Sequence, residues 1–121
     1  MTNSIKNSVQ LIGNIGKDVN LVSFDNGNKK VSLVIATNDY YTNNKGEKTK
    51  QTEWHNIVAW GKTAEMMSES LGKGSEVVIQ GKLTSRSYTD KEGATKYITE
   101  VLVNEFYKIA RTTKEVEVDA L

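Results

Sequence analysis

The sequence predicts an all-β fold, a small closed barrel with a single α-helix, and three observations support this prediction. Apolar and polar residues alternate over most of the chain, which is the period of strands with one buried face. Only residues 62–71 carry apolar side chains at helical spacing. The chain lacks proline, and clusters of asparagine, aspartate and glycine separate the alternating segments where turns would be needed.

Each predicted element has a local justification. The turn cluster at 25–28 joins two strands in a hairpin, and the cluster at 90–93 joins the last two. Residues 42–51 are polar and rich in turn formers, which predicts a long mobile loop. Gly81 interrupts an alternating segment and predicts a bulge or a close backbone approach. The alternating segments are Ile5–Ile15, Val19–Phe24, Lys30–Thr37, Glu53–Trp60, Val77–Tyr88 and Thr95–Phe106.

The helix is predicted over Lys62–Leu71, where Ala64, Met67 and Leu71 recur at helical spacing and Gly72 follows. The six alternating segments are counted as five strands, with this helix between the third and the fourth strand. This pattern fits the five-stranded barrel of the OB-fold. We therefore predict one OB-fold domain at 1–110. After it the alternation fades, which predicts a short flexible C-terminal tail at 111–121.

Composition excludes several classes of function. Without cysteine the chain has no disulfides and no thiolate metal ligands, and its single histidine excludes a His-rich metal site. We therefore expect no metal and no cofactor. No apolar run approaches the roughly 18 residues of a membrane span, and residues 1–4 lack a signal-peptide pattern. These features favour a cytoplasmic protein that does not enter a membrane.

Enzymatic motifs are incomplete. Gly61-Lys62-Thr63 joins a strand to a helix, as a phosphate-binding P-loop does, but that motif needs a glycine where this chain has Asn56. No serine or aspartate is placed beside His55 by the pattern, and no pair of carboxylates stands out as acid and base. We predict that the protein is not an enzyme.

The distribution of charge is only weak evidence for phosphate binding. The formal net charge is only +1, but residues 26–63 contain six lysines against three acidic residues. This local excess would bind phosphate only if the lysines cluster on one face of the fold.

Four large aromatic residues lie in or beside predicted strands among basic and small polar residues: Tyr41, Trp54, Trp60 and Tyr88. A period of two puts Trp54 and Trp60 on one face of their strand and His55 on the other, and it groups Lys82, Thr84, Arg86 and Tyr88 on a face of theirs. Two interpretations follow from this pattern. The rings stack on unpaired bases, or they cover a subunit interface or lie beneath the 42–51 loop.

Several segments resemble the bacterial single-stranded DNA-binding protein family. The resemblance covers about residues 5–109 without large gaps, and the run through Trp54-His55 is the segment most specific to the family. The matching segments are Asn7–Asp18, Gln51–His55, Trp60–Lys62, Leu71–Ser75 and Tyr97–Val103.

This resemblance implies an OB barrel that forms homotetramers and binds single-stranded DNA without sequence preference, during DNA replication, recombination and repair in the nucleoid. Carried over by position, the stacking residues would be Trp54, Trp60, Tyr88 and Tyr41, two of them tyrosine where the family usually has tryptophan or phenylalanine. His55 would lie at a subunit interface. The phosphate contacts would be Lys62, Lys73 and Arg86, and Lys50, which precedes the tryptophan strand, is a further candidate.

The C-terminal segment departs from the family pattern. Family members typically continue through a Gly/Gln/Pro-rich linker to an acidic tip that recruits replication and repair enzymes, whereas this sequence ends at Glu117-Val118-Asp119-Ala120-Leu121. The ending gives little support for recruiting other replication proteins and suits an auxiliary or mobile-element copy. Two rival hypotheses are a protein-interaction OB domain of a replication accessory complex and an OB module that binds RNA.

Overall fold

Six strands and one helix make up the structure, a computed structural model that describes residues 5–110. The tail predicted at 111–121 lies outside the described residues. In chain order the elements are β1 (Val9–Ile15), β2 (Asn20–Ser23), β3 (Lys29–Thr42), β4 (Lys48–Trp60), α1 (Gly61–Ser70), β5 (Glu76–Thr89) and β6 (Thr95–Ile109).

Strand pairing closes the sheet into a barrel. β1 pairs with β5, β5 with β6, β6 with β4 and β4 with β3, and β3 returns to β1 at Asn14–Ala36 and Ile15–Ile35. The β4–β6 pair is parallel and the others are antiparallel. β2 pairs along the same edge of β3 that β1 uses further on, so β1 and β2 share one position in a ring of five. The predicted all-β OB barrel is confirmed.

The single helix lies between β4 and β5. The prediction put it between the third and fourth strands, and the numbering differs because the short β2 counts as a strand of its own. The helix starts at Gly61, one residue before the predicted start, and its Ala64 and Met67 are fully buried in the core. Within residues 5–110, no helix has the length and apolar character needed to cross a membrane.

Alternate residues of the strands fill the barrel. Ile57 and Ala59 point inward, as their small or branched side chains predicted, whereas Trp54 and Trp60 point outward. The buried cluster comprises Ile15, Val31, Leu33, Ile35, Ile57, Ala59, Ala64, Met67, Leu71, Val77, Ile79, Val101 and Val103.

Two hairpins extend beyond the core, and we call them the first arm (residues 38–52 of β3 and β4) and the second arm (residues 85–99 of β5 and β6). The prediction of a long mobile loop over 42–51 is wrong, because the strands stay paired up to Thr42–Lys48 and leave a turn of only five residues. The first arm is exposed on both sides, so its strands need no apolar alternation and leave no periodic signal in the sequence.

A bulge interrupts the β5–β6 ladder before the second arm begins. Gln80 pairs with Glu105 but Gly81 pairs with Val103, so Asn104 is the additional residue. A Cβ atom on Gly81 would lie 2.1 Å from the carbonyl oxygen of Leu102. The bulge and the close backbone approach predicted at Gly81 are therefore both present.

Candidate nucleic-acid interface

The register of β3 and β4 places both tryptophans on the outward side of the sheet. Trp60 lies opposite Lys30 and Trp54 opposite Ala36, in an unbroken antiparallel ladder. We call this side of the sheet the outer face. Val58 shares it but is only 4% exposed, and Asn56 beside it is polar and exposed, so the surface between the two indoles does not form an apolar opening.

The outer face continues across β6 to β5. Val58 is paired with Leu102 in the parallel ladder, and Leu102 is paired with Lys82. Because paired residues share a side of the sheet, Lys82, Thr84, Arg86 and Tyr88 lie on the outer face with the tryptophans. The tryptophan face of β4 and the Lys82–Tyr88 face of β5, which were predicted separately, thus form one continuous surface. Lys96, which the sequence analysis did not single out, lies opposite Tyr88 on this surface.

Trp54 lies against the backbone of Gly16. A Cβ atom on Gly16 would come within 2.4 Å of the Trp54 ring and 3.2 Å of the Val34 side chain. The residue after β1 must therefore be small for the indole to occupy this position. Despite this contact, Trp54 is 61% exposed, the largest exposed fraction among the four predicted aromatic residues.

Trp60 belongs to a cluster that sequence patterns did not predict. The Phe24 ring stacks on it with centroids 6.1 Å apart and an interplanar angle of 28°, and the Lys30 Nζ lies 5.2 Å from the Trp60 ring centroid. Alternation alone predicted that Phe24 ends a strand. Its contact with Trp60 depends on the β2–β3–β4 register, which the sequence does not reveal without the structure.

The first arm places Tyr40, not Tyr41, on the outer face. Tyr40 lies opposite Lys50, and the Lys48 Nζ is 4.8 Å from the Tyr40 ring centroid. Tyr41 is opposite Thr49 on the other side of the arm, where it is 51% exposed. The parity of β3 beyond Thr37 would have distinguished the two tyrosines, but 42–51 was predicted to be a loop.

The predicted cations are not gathered at one place. Lys50 lies on the outer face of the first arm, and Lys62 lies in the first turn of α1, directly after Trp60. Lys73 is exposed in the loop before β5, at the opposite end of that strand from Tyr88. The structure therefore places Lys50 beside Tyr40, which was not a predicted ring, and Lys62 two residues after Trp60, but leaves Lys73 apart from the rings.

Arg86 is held by a carboxylate. Its Nε donates to Glu100 Oε1 at 3.1 Å and its Nη2 to Glu100 Oε2 at 3.2 Å, while Glu100 itself is 7% exposed. This hydrogen bonding, and then the negative charge of Glu100, raises the pKa of Arg86 above its ordinary value. The guanidinium is half exposed, so it can meet a phosphate, but part of its charge is already balanced.

A second ion pair lies beside the Trp60 cluster. Lys29 Nζ and Glu65 Oε2 are 2.6 Å apart at the surface. The hydrogen bond from Lys29, followed by its positive charge, lowers the pKa of Glu65. The neighbouring lysines Lys29 and Lys30 thus differ, because only Lys29 has a carboxylate partner among residues 5–110.

His55 lies on the opposite side of β4 from Trp54. It is half-buried, and its Nε2 is 2.9 Å from Thr37 Oγ1. Within residues 5–110, no group of three or more His, Cys, Asp or Glu side chains could hold a metal ion. The outer face itself offers flat rings for stacking and cations for neutralising anions.

Comparisons with known proteins agree with this chemistry. The sequence matches the family model described as the single-strand binding protein family over residues 6–109. A Xylella fastidiosa protein described as single-stranded DNA-binding protein 1 is 39% identical over 106 residues, which are 87% of this chain and 78% of that protein.

Solved structures give the same result. The fold resembles that of the Plasmodium falciparum SSB in complex with ssDNA, with a TM-score of 0.79, 26% identity, and coverage of 91% of this chain and 100% of that one. It also resembles a deletion mutant of the single-stranded DNA binding protein from Thermus aquaticus, with a TM-score of 0.75 and 25% identity. That match covers 86% of this chain but 50% of the Thermus chain.

Proposed function

The chain belongs to the single-strand binding protein family, and from this premise we propose that its outer face binds single-stranded DNA without sequence preference. The observation that carries the proposal is the placement of Trp54, Trp60 and Tyr88 on one continuous, cation-bearing side of the sheet. Every base has a π-face, so stacking on these rings tolerates any sequence, at about 1–3 kcal/mol per base by truncation. The protein binds DNA and is not an enzyme, as membership of this family implies.

The proposed contacts follow the outer face. Bases stack on Trp54, Trp60 and Tyr88, and Tyr40 supplies the ring that the first arm presents on the same side. Tyr41 stays a candidate contact for a strand that passes round the other side of the arm. The proposed phosphate contacts are Lys50, Lys62, Arg86 and, further away, Lys73, and the release of counterions at these residues makes affinity fall with salt. Duplex DNA is disfavoured because its bases are already stacked on each other.

We also propose that the protein is a homotetramer acting in replication, recombination and repair in the nucleoid. Support comes from an apolar row across β1, β5 and β6, formed by Ile12, Val78 and Tyr107, on the outward side of the barrel. Ile12 and Tyr107 are exposed, and Gln80 Oε1 on the same side is buried without a hydrogen-bond partner among the described residues. A second copy could cover these groups, and joined protomers would lengthen the DNA track. His55, on another side of the barrel, remains a proposed interface residue.

Tryptophan emission tests the DNA proposal directly, because both indoles lie on the outer face. We expect a long oligothymidylate to quench the emission strongly and the quenching to weaken with added salt. A duplex of equal length should leave the emission nearly unchanged, and an oligouridylate distinguishes DNA from RNA. Unchanged emission in a correctly folded oligomer would mean that the rings are buried against protein, as the accessory-complex hypothesis requires.

Removing both indoles gives the decisive variant. Trp54→Ala with Trp60→Ala should fold, because both side chains are exposed, and should weaken oligothymidylate binding by about tenfold or more. Since this variant lacks tryptophan, binding is measured by the anisotropy of a labelled oligonucleotide. Tyr97→Ala is the matched control, because Tyr97 is 77% exposed but pairs with Ser87 on the opposite side of the second arm. Equal affinity in the double variant and the control would reject the proposal.

A further inference from the structure

We propose that Phe24, at the turn between β2 and β3, is a further base-contacting ring, and that Lys30 is the phosphate contact beside it. The inference rests on the proposed function and extends its DNA track past Trp60. No sequence pattern and no comparison with known proteins assigns a role to either residue.

The position of Phe24 is fixed by strand register. Val22 pairs with Lys30 and Lys30 pairs with Trp60, so these three residues form one row across the outer face. Phe24 is two residues beyond Val22, on the same side, and its ring lies 6.1 Å from that of Trp60. When one base of a DNA strand stacks on Trp60, the Phe24 ring is therefore within reach of the neighbouring base.

The Phe24 side chain is available to a ligand. It is 44% exposed, nearly the same fraction as Trp60 at 45%, and it has no polar atom that would favour contact with water. Stacking on Trp60 covers one part of the ring and leaves the rest to solvent. An exposed phenylalanine that adjoins a proposed stacking surface forms a continuous apolar extension of that surface.

The turn holds Phe24 in place before any ligand binds. The Phe24 N–H donates to the Asn28 carbonyl at 2.8 Å, and the Phe24 carbonyl accepts from Gly27 N–H at 2.9 Å. Gly27 has a φ of +89°, a conformation that glycine adopts without strain, and Asn26 Oδ1 accepts from Asn28 N–H. Because the backbone is already ordered, the ring would lose little conformational freedom on binding.

Charge completes the site. Of the two neighbouring lysines, Lys29 is paired with Glu65, whereas Lys30 forms no ion pair among residues 5–110 and lies over the Trp60 ring. Its ammonium group is therefore free to neutralise the phosphate that follows a base stacked at Trp60 or Phe24. A ring with a neighbouring cation is the arrangement that single-strand binding requires.

The first experiment separates a DNA contact from mere support of Trp60. Phe24→Leu keeps an apolar side chain against Trp60 but removes the flat ring, and we expect it to weaken oligothymidylate binding about fivefold or more. Phe24→Ala is then made in the Trp60→Ala chain, where no indole remains to be positioned. A further loss of about the same factor supports direct contact, and an unchanged affinity overturns it. Unchanged circular dichroism and midpoint of unfolding establish that each variant is folded.

The second experiment tests the cation. Lys30→Gln should reduce the slope of log affinity against log salt by about 0.7, the contribution of one phosphate contact on a single strand. Lys29→Gln is the matched control, since its charge is already balanced by Glu65, and it should change the slope by much less. Equal slopes for the two variants would overturn the assignment of Lys30.

The two proposals fail in different ways. If Trp54→Ala with Trp60→Ala loses affinity while Phe24→Leu does not, the single-strand proposal stands and the role of Phe24 is rejected. If neither loses affinity, the outer face itself is not the DNA site, and both proposals are rejected.

Discussion

The two arms have the same construction but differ in how they carry charge on the outer face. The first arm presents Tyr40 with Lys48 and Lys50, and no carboxylate of that arm lies on this side. The second arm presents Tyr88 with Lys96 and with Arg86, whose guanidinium is bound to the nearly buried Glu100 at the base of the arm. The lysines of the first arm therefore have no carboxylate partner among the described residues, whereas one cation of the second arm, Arg86, is balanced by Glu100 and holds two strands together.

The arms also differ where they leave the barrel. The β3–β4 ladder runs from Lys30–Trp60 to Thr42–Lys48 without interruption, whereas the β5–β6 ladder shifts register at Gly81. Regular pairing carries the outer face straight into the first arm. On the way to the second arm the bulge at Gly81 interrupts regular pairing, and this geometry depends on a residue that lacks a side chain.

The largest expected effect is the loss of stability caused by Gly81→Ala, at the bulge that precedes the second arm. The added Cβ would meet the Leu102 carbonyl at 2.1 Å, so the backbone must shift, and we expect a loss of about 3 kcal/mol in the free energy of unfolding. Gly72→Ala is the control, because its Cβ meets nothing within 4 Å and its φ is not positive. Urea unfolding measures both. Similar stability of the two variants would mean that the second arm does not depend on a close approach at its base.

The next largest effect should distinguish Tyr40 from Tyr41, which lie on opposite sides of the first arm. Tyr40→Ala should weaken oligothymidylate binding about tenfold, because it removes the outer-face ring of the first arm, whereas Tyr41→Ala should change affinity by less than about twofold. Neighbouring residues of one exposed strand serve here as controls for each other. The reverse order of effects would place the DNA on the other side of the first arm and would restore Tyr41 as the stacking residue.

Replacing the lysines of the first arm should affect only DNA binding, whereas replacing Arg86 should affect both DNA binding and stability. Lys48→Gln with Lys50→Gln should reduce the salt slope by about 1.4 and leave the midpoint of thermal unfolding unchanged. Arg86→Gln should reduce the slope by less than about 0.7 and lower the midpoint, because the Glu100 carboxylate loses its partner. Adding Glu100→Gln should restore part of that midpoint. A midpoint that Arg86→Gln does not change would remove the distinction between the arms.

The smallest effect concerns the exposed ion pair at the start of β3. Lys29 lowers the pKa of Glu65 below its ordinary value of 4.5, so the pair contributes to stability above that pH and loses its contribution as the pH falls through the lowered value. The difference in stability between the natural chain and Glu65→Gln should therefore be present at neutral pH and disappear in acid. High salt should reduce it, since the pair is exposed. A difference that grows in acid would contradict this sign.

How much the sequence predicted depends on whether a segment has a buried side. Where one face of a strand lies in the core, as in Glu53–Trp60, alternation predicted both the strand and the orientation of Trp54 and Trp60. The first arm has no buried face, so the predicted strand ended at Thr37 and residues 42–51 were predicted as a loop. The choice between Tyr40 and Tyr41 therefore could not be made from parity. The turn at 90–93 was predicted from its cluster of turn formers, Asp90-Lys91-Glu92-Gly93, and not from a buried face.

Contacts between strands that are distant in sequence were beyond prediction. The contact of Phe24 with Trp60 and the bonding of Arg86 to Glu100 depend on register across three and two strands respectively. A period of two states which side of a strand a residue occupies but not which residue lies beside it. Lys73 shows the same limit, because a position taken from the family resemblance did not indicate its distance from the rings.

The tips of both arms are built as self-contained units. Asn43 Oδ1 accepts from the N–H groups of Lys45 and Glu47, and Asp90 Oδ1 accepts from those of Glu92 and Ala94, with a positive-φ glycine at the same place in each turn. Because each tip satisfies its own backbone, its turn needs no hydrogen bond from the barrel. The tip of the second arm is therefore a suitable place to attach a fluorophore at an exposed side chain, Lys91 or Glu92, where it would report DNA binding beside Tyr88.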